Sequence, residues 1–564
     1  MKLLRLAFVA LSIVVFPIAA RADLDLRTGP PDGIASTAAT LAEVLAINSR
    51  AEGKQLDSFS SRIEEWRTRS GGTDEVRRTL WLGKDYKTTQ SFGPIITQEG
   101  RVAGVRWRQN FNGMVVIEGG IHLEGERFDD AMKAARAGSP DDAVKLLGEV
   151  TDPFAAYVVQ VQPQGDAPTW LFIDKSSGLI TRAETVVDDV RITTVYRDFR
   201  TINGATIAAT ETLTDGRSTD DRTETLAALQ PGTTVTSAQL AIPITKRQLV
   251  EFPGGVTSVE LPASLPKAAN SVSRLLDNDF TAQRSVYKRH MVVRVSINGR
   301  AMDFLLDSGT SGIIIDKEHA DQLGLTQYTM GSQVYGGPSE ASLVVFPEIR
   351  IGSLVMKDIT GYAQRFSMRT ADTEEAVGII GYDFFASVGL KVDWDTGKVI
   401  AYAPGAMPMP QTSITLPLLL DDLIPYVPAT IDDVASDHFL LDTGADEVYI
   451  FPAFARAHKK ELADEFLGRK MQVDFGDEFS SVGETGVQET FPTQLKNFVF
   501  GVPFSNFIVQ VINSDQKYPD HDLDGLIGYQ FLHYFNLYFD YAGSRIVLEP
   551  NQEFRNAKHT APGR

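Results

Sequence analysis

Apolar and polar positions alternate with a period of two through much of this chain, the pattern of half-buried β-strands. Residues 79–82, 102–107, 114–118, 157–161 and 192–196 each carry it. Asn112-Gly113 and Asn203-Gly204 are hairpin turn signals between such runs. The segment 170–173, then Asp174-Lys175-Ser176-Ser177-Gly178, then Leu179 reads as strand, turn, strand. Helical spacing breaks this pattern twice. Residues 34–54 place Leu41, Val44 and Leu45 on one side of an amphipathic helix, and residues 129–147 read as a second helical stretch. Residues 250–285 carry Pro253, Gly254, Gly255, Pro262 and Pro266 and then turn polar, which predicts an inter-domain connection.

After residue 286 the pattern repeats itself. The first copy opens with an apolar strand over 292–297 and a turn at Asn298-Gly299. Phe304-Leu305-Leu306-Asp307-Ser308-Gly309-Thr310 follows, and then the apolar strand Ile313-Ile314-Ile315. The second copy has a strand over 426–431 and a turn near Asp432-Asp433. Phe439-Leu440-Leu441-Asp442-Thr443-Gly444-Ala445 follows, and then Val448-Tyr449-Ile450. The copies also end alike. Gly378-Ile379-Ile380-Gly381 is followed twelve residues on by Asp393, and Gly525-Leu526-Ile527-Gly528 twelve residues on by Asp540. Between them lies a connection rich in Pro and Met, residues 404–410.

A lone Asp-Ser/Thr-Gly says little, and this chain supplies its own control. Asp395-Thr396-Gly397 lies in a polar stretch between strands and reads as a hairpin turn. Asp307 and Asp442 differ because each ends an apolar Phe-Leu-Leu run, so each carboxylate closes a buried strand.

The paired blocks resemble the aspartic peptidases of the retropepsin and pepsin type, over residues 287–550. That resemblance implies a mainly β fold with two retropepsin-like lobes, 286–405 and 412–550, in one chain. It implies that Asp307 and Asp442 form the catalytic pair, sharing one proton and activating a water between them. Ser308, Gly309, Thr310, Thr443, Gly444 and Ala445 would support the two active-site turns, with Ser308 and Thr443 bonding across to the opposite lobe. Tyr335, Gly336 and Gly337 fall where such proteins carry a flap hairpin. The active site would form within a monomer and act on an extended polypeptide, with no metal and no organic cofactor. Ala445 departs from the hydroxyl that Thr310 supplies in the first copy, and a long charged stretch, 452–467, interrupts the second.

The region 35–230 resembles, more diffusely, the half-barrel domain of periplasmic lipoprotein carriers. The likeness rests on the opening helix, the strand order, the segment Phe172-Ile173-Asp174 to Gly178-Leu179, and residues 196–204. It implies a β-rich α+β domain over 23–250 with a concave sheet that has room for an acyl chain or a peptide.

Composition narrows the reading further. There is no cysteine, which excludes disulfides, thiolate nucleophiles and Cys-ligated metals. The formal net charge of −19 argues against nucleic-acid binding. The eight histidines, among them His290, His319, His438, His458, His521 and His533, are scattered rather than set at metal-ligand spacing. Lys2 and Arg5, an apolar run over 6–20, and Ala20-Arg21-Ala22 read as an export signal over 1–22. The remaining divisions expected are a linker over 251–285 and a tail over 551–564. These features together predict an exported aspartic endopeptidase in a bacterial periplasm. Two rivals stand beside it. One is a lipid- or peptide-binding protein on a non-proteolytic scaffold; the other is a peptidase dedicated to a single partner recruited by the N-terminal domain.

Overall fold

The computed structural model describes residues 27–266 and 290–560, apart from 28, 71–72, 118–123, 140–141, 164–166, 188–189, 215, 217–220, 245–247, 330–341, 365–367, 370–374, 422, 446, 452–453, 456–457, 459–480, 484–485, 489 and 513–522. The export signal over 1–22 therefore lies outside the described residues, and so does most of the charged stretch 452–467.

The N-terminal region is one thirteen-stranded sheet with antiparallel neighbours, running from Val115–Ile117 at one edge to Val144–Val150 at the other. Two helices, Leu41–Glu52 and Glu124–Arg136, cover one face of it. Val44, Leu45, Phe128 and Met132 pack there against Val159, Val161, Leu171 and Ile173. The first helix starts later than its apolar spacing predicts. Thr40 and Glu43 form a reciprocal capping box that fixes the start at Leu41, and residues 34–40 stay outside the helix. The second helical stretch is displaced as well. It spans Glu124–Arg136 and stops before Gly138 (φ 79°), and Val144–Val150 is a strand paired with Ala156–Val161. The run 102–107 is two strands, not one. Ala103 (φ 51°) and Gly104 (φ 82°) make a two-residue hairpin turn between Ile95–Val102 and Val105–Gln109.

The two repeats build the same local frame. In the first, Glu375–Ile380 lies between Arg300–Leu306, which it pairs in parallel, and Ile313–Asp316, which it pairs antiparallel. In the second, Gly525–Ile527 lies between Val434–Leu441 and Val448–Ile450 with the same two senses. A separate six-stranded sheet joins the copies: Gly389–Asp393 pairs antiparallel with Phe535–Asp540 at its centre. One cluster of buried side chains runs through both lobes, from Phe304 and Phe384 to Phe439 and Phe531. The fold is thus mainly β, two lobes behind an α+β domain.

Residues 250–266 do more than connect. Val250–Glu251 pairs with Leu354–Gln364, Ser258–Glu260 with Lys398–Tyr402, and Ala263–Ser264 with Val292–Ile297. Leu249, Val250 and Leu261 are buried in the lobes' core, so apolar positions between the prolines and glycines override the loop reading. The rest of the expected linker, 267–285, lies outside the described residues. The expected tail is also structured. Residues Gln552–Thr560 are helical, and Phe554 packs on Phe504 and Phe535.

The N-terminal sheet packs directly on the first lobe. Phe92 and Ile95 share an apolar cluster with Leu305, Ile314, Leu343 and Ile379. Phe111 meets Tyr362 edge to face at 5.9 Å. Beside it Asn112 donates to the Thr360 carbonyl (2.8 Å) and accepts from the Thr360 amide (2.8 Å). Asn110 Nδ2 donates to Asp383 Oδ1 at 2.7 Å. These polar groups are buried, so each needs the partner it has.

Candidate active site

Each candidate aspartate closes a buried strand. Leu305 and Leu306 lead to Asp307, and Leu440 and Leu441 to Asp442; all four leucines are at most 3% exposed. Asp307 is 8% and Asp442 5% exposed. The chain then turns so tightly that each carboxylate receives the amide two residues on: Gly309 N–H donates to Asp307 Oδ1 and Gly444 N–H to Asp442 Oδ1, both at 2.7 Å. The two carboxylates face each other across the lobes, each set against the glycine of the opposite turn. The glycines permit this approach. A Cβ on Gly309 would lie 2.9 Å from Asp442 Oδ1, and one on Gly444 2.6 Å from Asp307 Oδ2.

Reciprocal bonds tie the turns across the lobes. Ser308 N–H donates to Thr443 Oγ1 (2.9 Å), and Thr443 N–H donates to Ser308 Oγ (3.1 Å). Each hydroxyl passes its own proton on, Ser308 to the Leu441 carbonyl (2.7 Å) and Thr443 to the Leu306 carbonyl (3.0 Å). Four hydrogen bonds between buried groups thus set the spacing of the pair.

Behind each turn the second block of the repeat threads through. Asp307 N–H donates to the Ile380 carbonyl and Asp442 N–H to that of Ile527, at 3.0 and 3.1 Å. Tyr382 N–H returns to the Thr310 carbonyl and Tyr529 N–H to that of Ala445, at 2.8 and 3.0 Å. Gly381 and Gly528 sit at these crossings, where a Cβ would come within 2.3 Å of Thr310 O and 2.5 Å of Ala445 O.

The lobes supply different electrostatics. Thr310 Oγ1 donates to Asp307 Oδ2 at 2.9 Å, and Ala445 has no hydroxyl to do the same. Burial, and then the Asp307 charge and hydrogen bond, hold the Asp442 carboxyl well above the usual carboxylate range. The Gly444 and Ala445 amides pull it back only in part. Two buried tyrosines stand nearby. Tyr529 is raised well above the usual phenol range by burial, with the Asp307 and Asp442 charges adding to it, and its oxygen accepts from Met291 N–H at 2.8 Å. Tyr541 is raised by burial, then by Tyr382 and Asp307. Both stay protonated wherever the carboxylates titrate.

Asp307, Ser308, Gly309 and Thr310 thus meet Asp442, Thr443, Gly444 and Ala445 in one cluster. Asp395 is elsewhere. It ends a hairpin turn, where its carboxylate accepts from Asn536 Nδ2 and Gln552 N–H. Tyr335, Gly336 and Gly337 lie outside the described residues. Among the described residues no group of three or more His, Asp and Glu could hold a metal ion. Spacing alone had not singled out Tyr529, Tyr541, Asn110 or Asp383. For Asp383 a signal existed, since it holds the place in the first repeat that Gln530 holds in the second.

Residues 293–384 match the family model described as Aspartyl protease. No curated protein matches the chain. Among solved structures, a LolA superfamily protein from Nitrosomonas europaea is similar at 12% identity, covering 36% of this chain and 98% of its own, with a TM-score of 0.26. A retropepsin-like aspartic protease from Rickettsia conorii is similar at 20% identity, covering 21% of this chain and 85% of its own, TM-score 0.16. Basic 7S globulin from soybean is similar at 11% identity, covering 52% of this chain and 96% of its own, TM-score 0.30.

Proposed function

We propose that this protein is an exported aspartic endopeptidase that hydrolyses peptide bonds in extended polypeptides, with Asp307 and Asp442 acting as one unit. The observation that carries this reading is the buried carboxylate pair, each side chain against the glycine of the opposite turn, with its cross-lobe bonds. Two carboxylates this close hold one proton between them. The ionised one takes a proton from a bound water as that oxygen attacks the scissile carbonyl carbon. The protonated one gives its proton to the carbonyl oxygen, forming a tetrahedral diol. Collapse of the diol returns one proton to the pair and delivers another to the departing nitrogen as the C–N bond breaks. The pair ends as it began, one water is consumed, and no metal or organic cofactor takes part.

An extended substrate suits a cleft between β-rich lobes, because main-chain hydrogen bonds can run along its length. Both carboxylates come from one chain, so the site needs no second copy. Export is supported by the charged start, apolar run and small-residue site within residues 1–22.

A second ligand is favoured by one feature of the N-terminal sheet. An open pocket there is lined by Leu56, Trp66, Ile180, Phe199 and Leu226 beside Glu52, Lys54 and Glu64, a setting for an acyl chain or a peptide that also carries a polar end. The experiment for the main reading is digestion of a diverse peptide library, with products read by mass spectrometry. Wild type should cut internal bonds, and neither Asp307→Asn nor Asp442→Asn should. Absence of cleavage across pH by folded wild type would favour the binding-protein reading.

A further inference from the structure

Three parts of the chain meet around one open pocket. The first lobe contributes Ser311 and Gly312, the second Leu423, and the N-terminal sheet Thr97, Glu99 and Arg108. Ser311 and Gly312 stand four and five residues after Asp307. Thr310, whose hydroxyl bonds Asp307 Oδ2, immediately precedes them, so this wall begins one or two residues beyond a direct contact of the carboxylate. Leu423 turns with φ 70° into Ile424–Ile431, whose neighbour is the strand that leads to Asp442. The pocket therefore lies where the two lobes and the N-terminal sheet meet.

Its third wall comes from a domain that sequence alone left separate. Glu99 and Arg108 are directly paired across neighbouring strands, and Thr97 stands on the same face as Glu99. All three are half-buried. This wall is fixed to the first lobe, because the buried Asn110–Asp383 and Asn112–Thr360 hydrogen bonds lie at the end of the same hairpin. Such a wall is pre-organised: a ligand need not order it on binding.

We propose that this pocket is a distal subsite of the cleft. It takes side chains of the polypeptide substrate on one side of the cut bond, with Glu99 and Arg108 as specificity-determining residues. The proposal rests on the peptidase reading above and adds to it the reason why the N-terminal sheet is docked on the first lobe. The lining joins hydroxyl, carboxylate and guanidinium groups to the apolar surfaces of Phe111, Tyr362 and Leu423, which suits main-chain amides and side chains with both polar and apolar parts.

The test starts from the bonds that wild type cuts in β-casein. For one such bond, a short peptide stopping before the pocket and a long polar peptide reaching past it are compared. Wild type should prefer the long peptide in kcat/KM by about tenfold, the scale of one or two lost hydrogen bonds. In the Glu99→Gln, Arg108→Ala double variant the loss on the long peptide should exceed the loss on the short one by about the same factor. Arg108→Gln should show the same split if the alanine variant melts early. Binding of the long peptide to Asp307→Asn, which cannot cut it, should weaken in parallel when Glu99 and Arg108 are changed. Equal losses on both lengths, or no preference for length in wild type, would overturn the subsite and leave the peptidase reading standing. An equal gain on both lengths would also overturn it, marking the sheet as a plug. No cleavage of casein at all would overturn the peptidase reading and the subsite together.

Discussion

Asp307 and Asp442 close equivalent strands, receive equivalent amides and are backed by equivalent glycines, yet their neighbours differ. Thr310 gives Asp307 a hydroxyl hydrogen bond that Ala445 cannot give Asp442. One step further out, Asp383 of the first lobe is joined to Asn110 of the N-terminal sheet, whereas Gln530 of the second accepts from its own lobe's Val448 N–H. The duplicated frame sets where the carboxylates stand. The departures from duplication set which carboxylate holds the proton more firmly and which lobe carries the extra domain. In a pair made unequal in this way, Asp442 is the carboxyl that burial and its neighbour push toward the protonated form.

The comparison breaks most sharply if the aspartates are changed one at a time. Asp307→Asn and Asp442→Asn should each lower kcat/KM by at least about 10³-fold, and the double variant should lose little more. Asp395→Asn, in the third copy of the tripeptide, should stay within about threefold of wild type, because a turn residue away from the site touches no reacting atom. Steady-state kinetics on one peptide measures all four.

Stability should follow the repeat as well. Gly381→Ala and Gly528→Ala each push a Cβ into a backbone carbonyl at 2.3–2.5 Å and should cost about 1–3 kcal/mol or more apiece. Gly397→Ala meets open space but must hold φ 71°, and should cost only about 1 kcal/mol. Denaturant melts that put Gly397→Ala with the other two would show that the crossings are looser than the structure has them.

The raised Asp442 carboxyl gives a pH dependence with a definite sign. Its folded pKa lies above its unfolded value near 4, so its contribution to stability is complete below about pH 4. That contribution is lost as pH rises through the folded value, because burial and Asp307 oppose ionisation. Wild type should therefore lose stability over that interval, and Asp442→Asn should flatten the loss. Thermal melts from pH 3 to about 8 measure it; a variant profile parallel to wild type would place the titration elsewhere.

The smallest effect sharpens the comparison of the two turns. Ala445→Thr offers Asp442 the hydroxyl that Asp307 already has and should move the active range toward acid, by up to about one pH unit. Thr310→Val removes the existing hydroxyl and should move the range the other way. The shift of the whole profile is the readout, since its limbs belong to the pair and not to either residue.

Much of this was legible in the sequence because it repeats. Two blocks, Phe-Leu-Leu-Asp and apolar-apolar-Gly, recur in order, and the structure brings each pair together in one lobe. The cap at Thr40 and Glu43 was legible too, since it is local, and weighing it would have moved the first helix start from 34 to 41. The six-stranded sheet between the lobes was not, because nothing in the spacing of Gly389–Asp393 says that its partner is Phe535–Asp540. The docking of the N-terminal sheet was hidden for the same reason. Asn112 reads as a turn residue and Asn110 carries no signal, and their partners lie 248 and 273 residues away. Proline and glycine over 250–266 concealed three short strands, each held by pairing with a strand of the lobes rather than by its own propensity.

The central claim is that one chain carries one complete site made by both aspartates. Calorimetric titration of monomeric protein with a statine-type peptide, whose hydroxyl stands in for the attacking water, tests it most directly. The account predicts one peptide bound per chain and the same stoichiometry on dilution, with binding weakened by about 100-fold or more in both Asp307→Asn and Asp442→Asn. One peptide per two chains, or binding that survives either substitution unchanged, would contradict it.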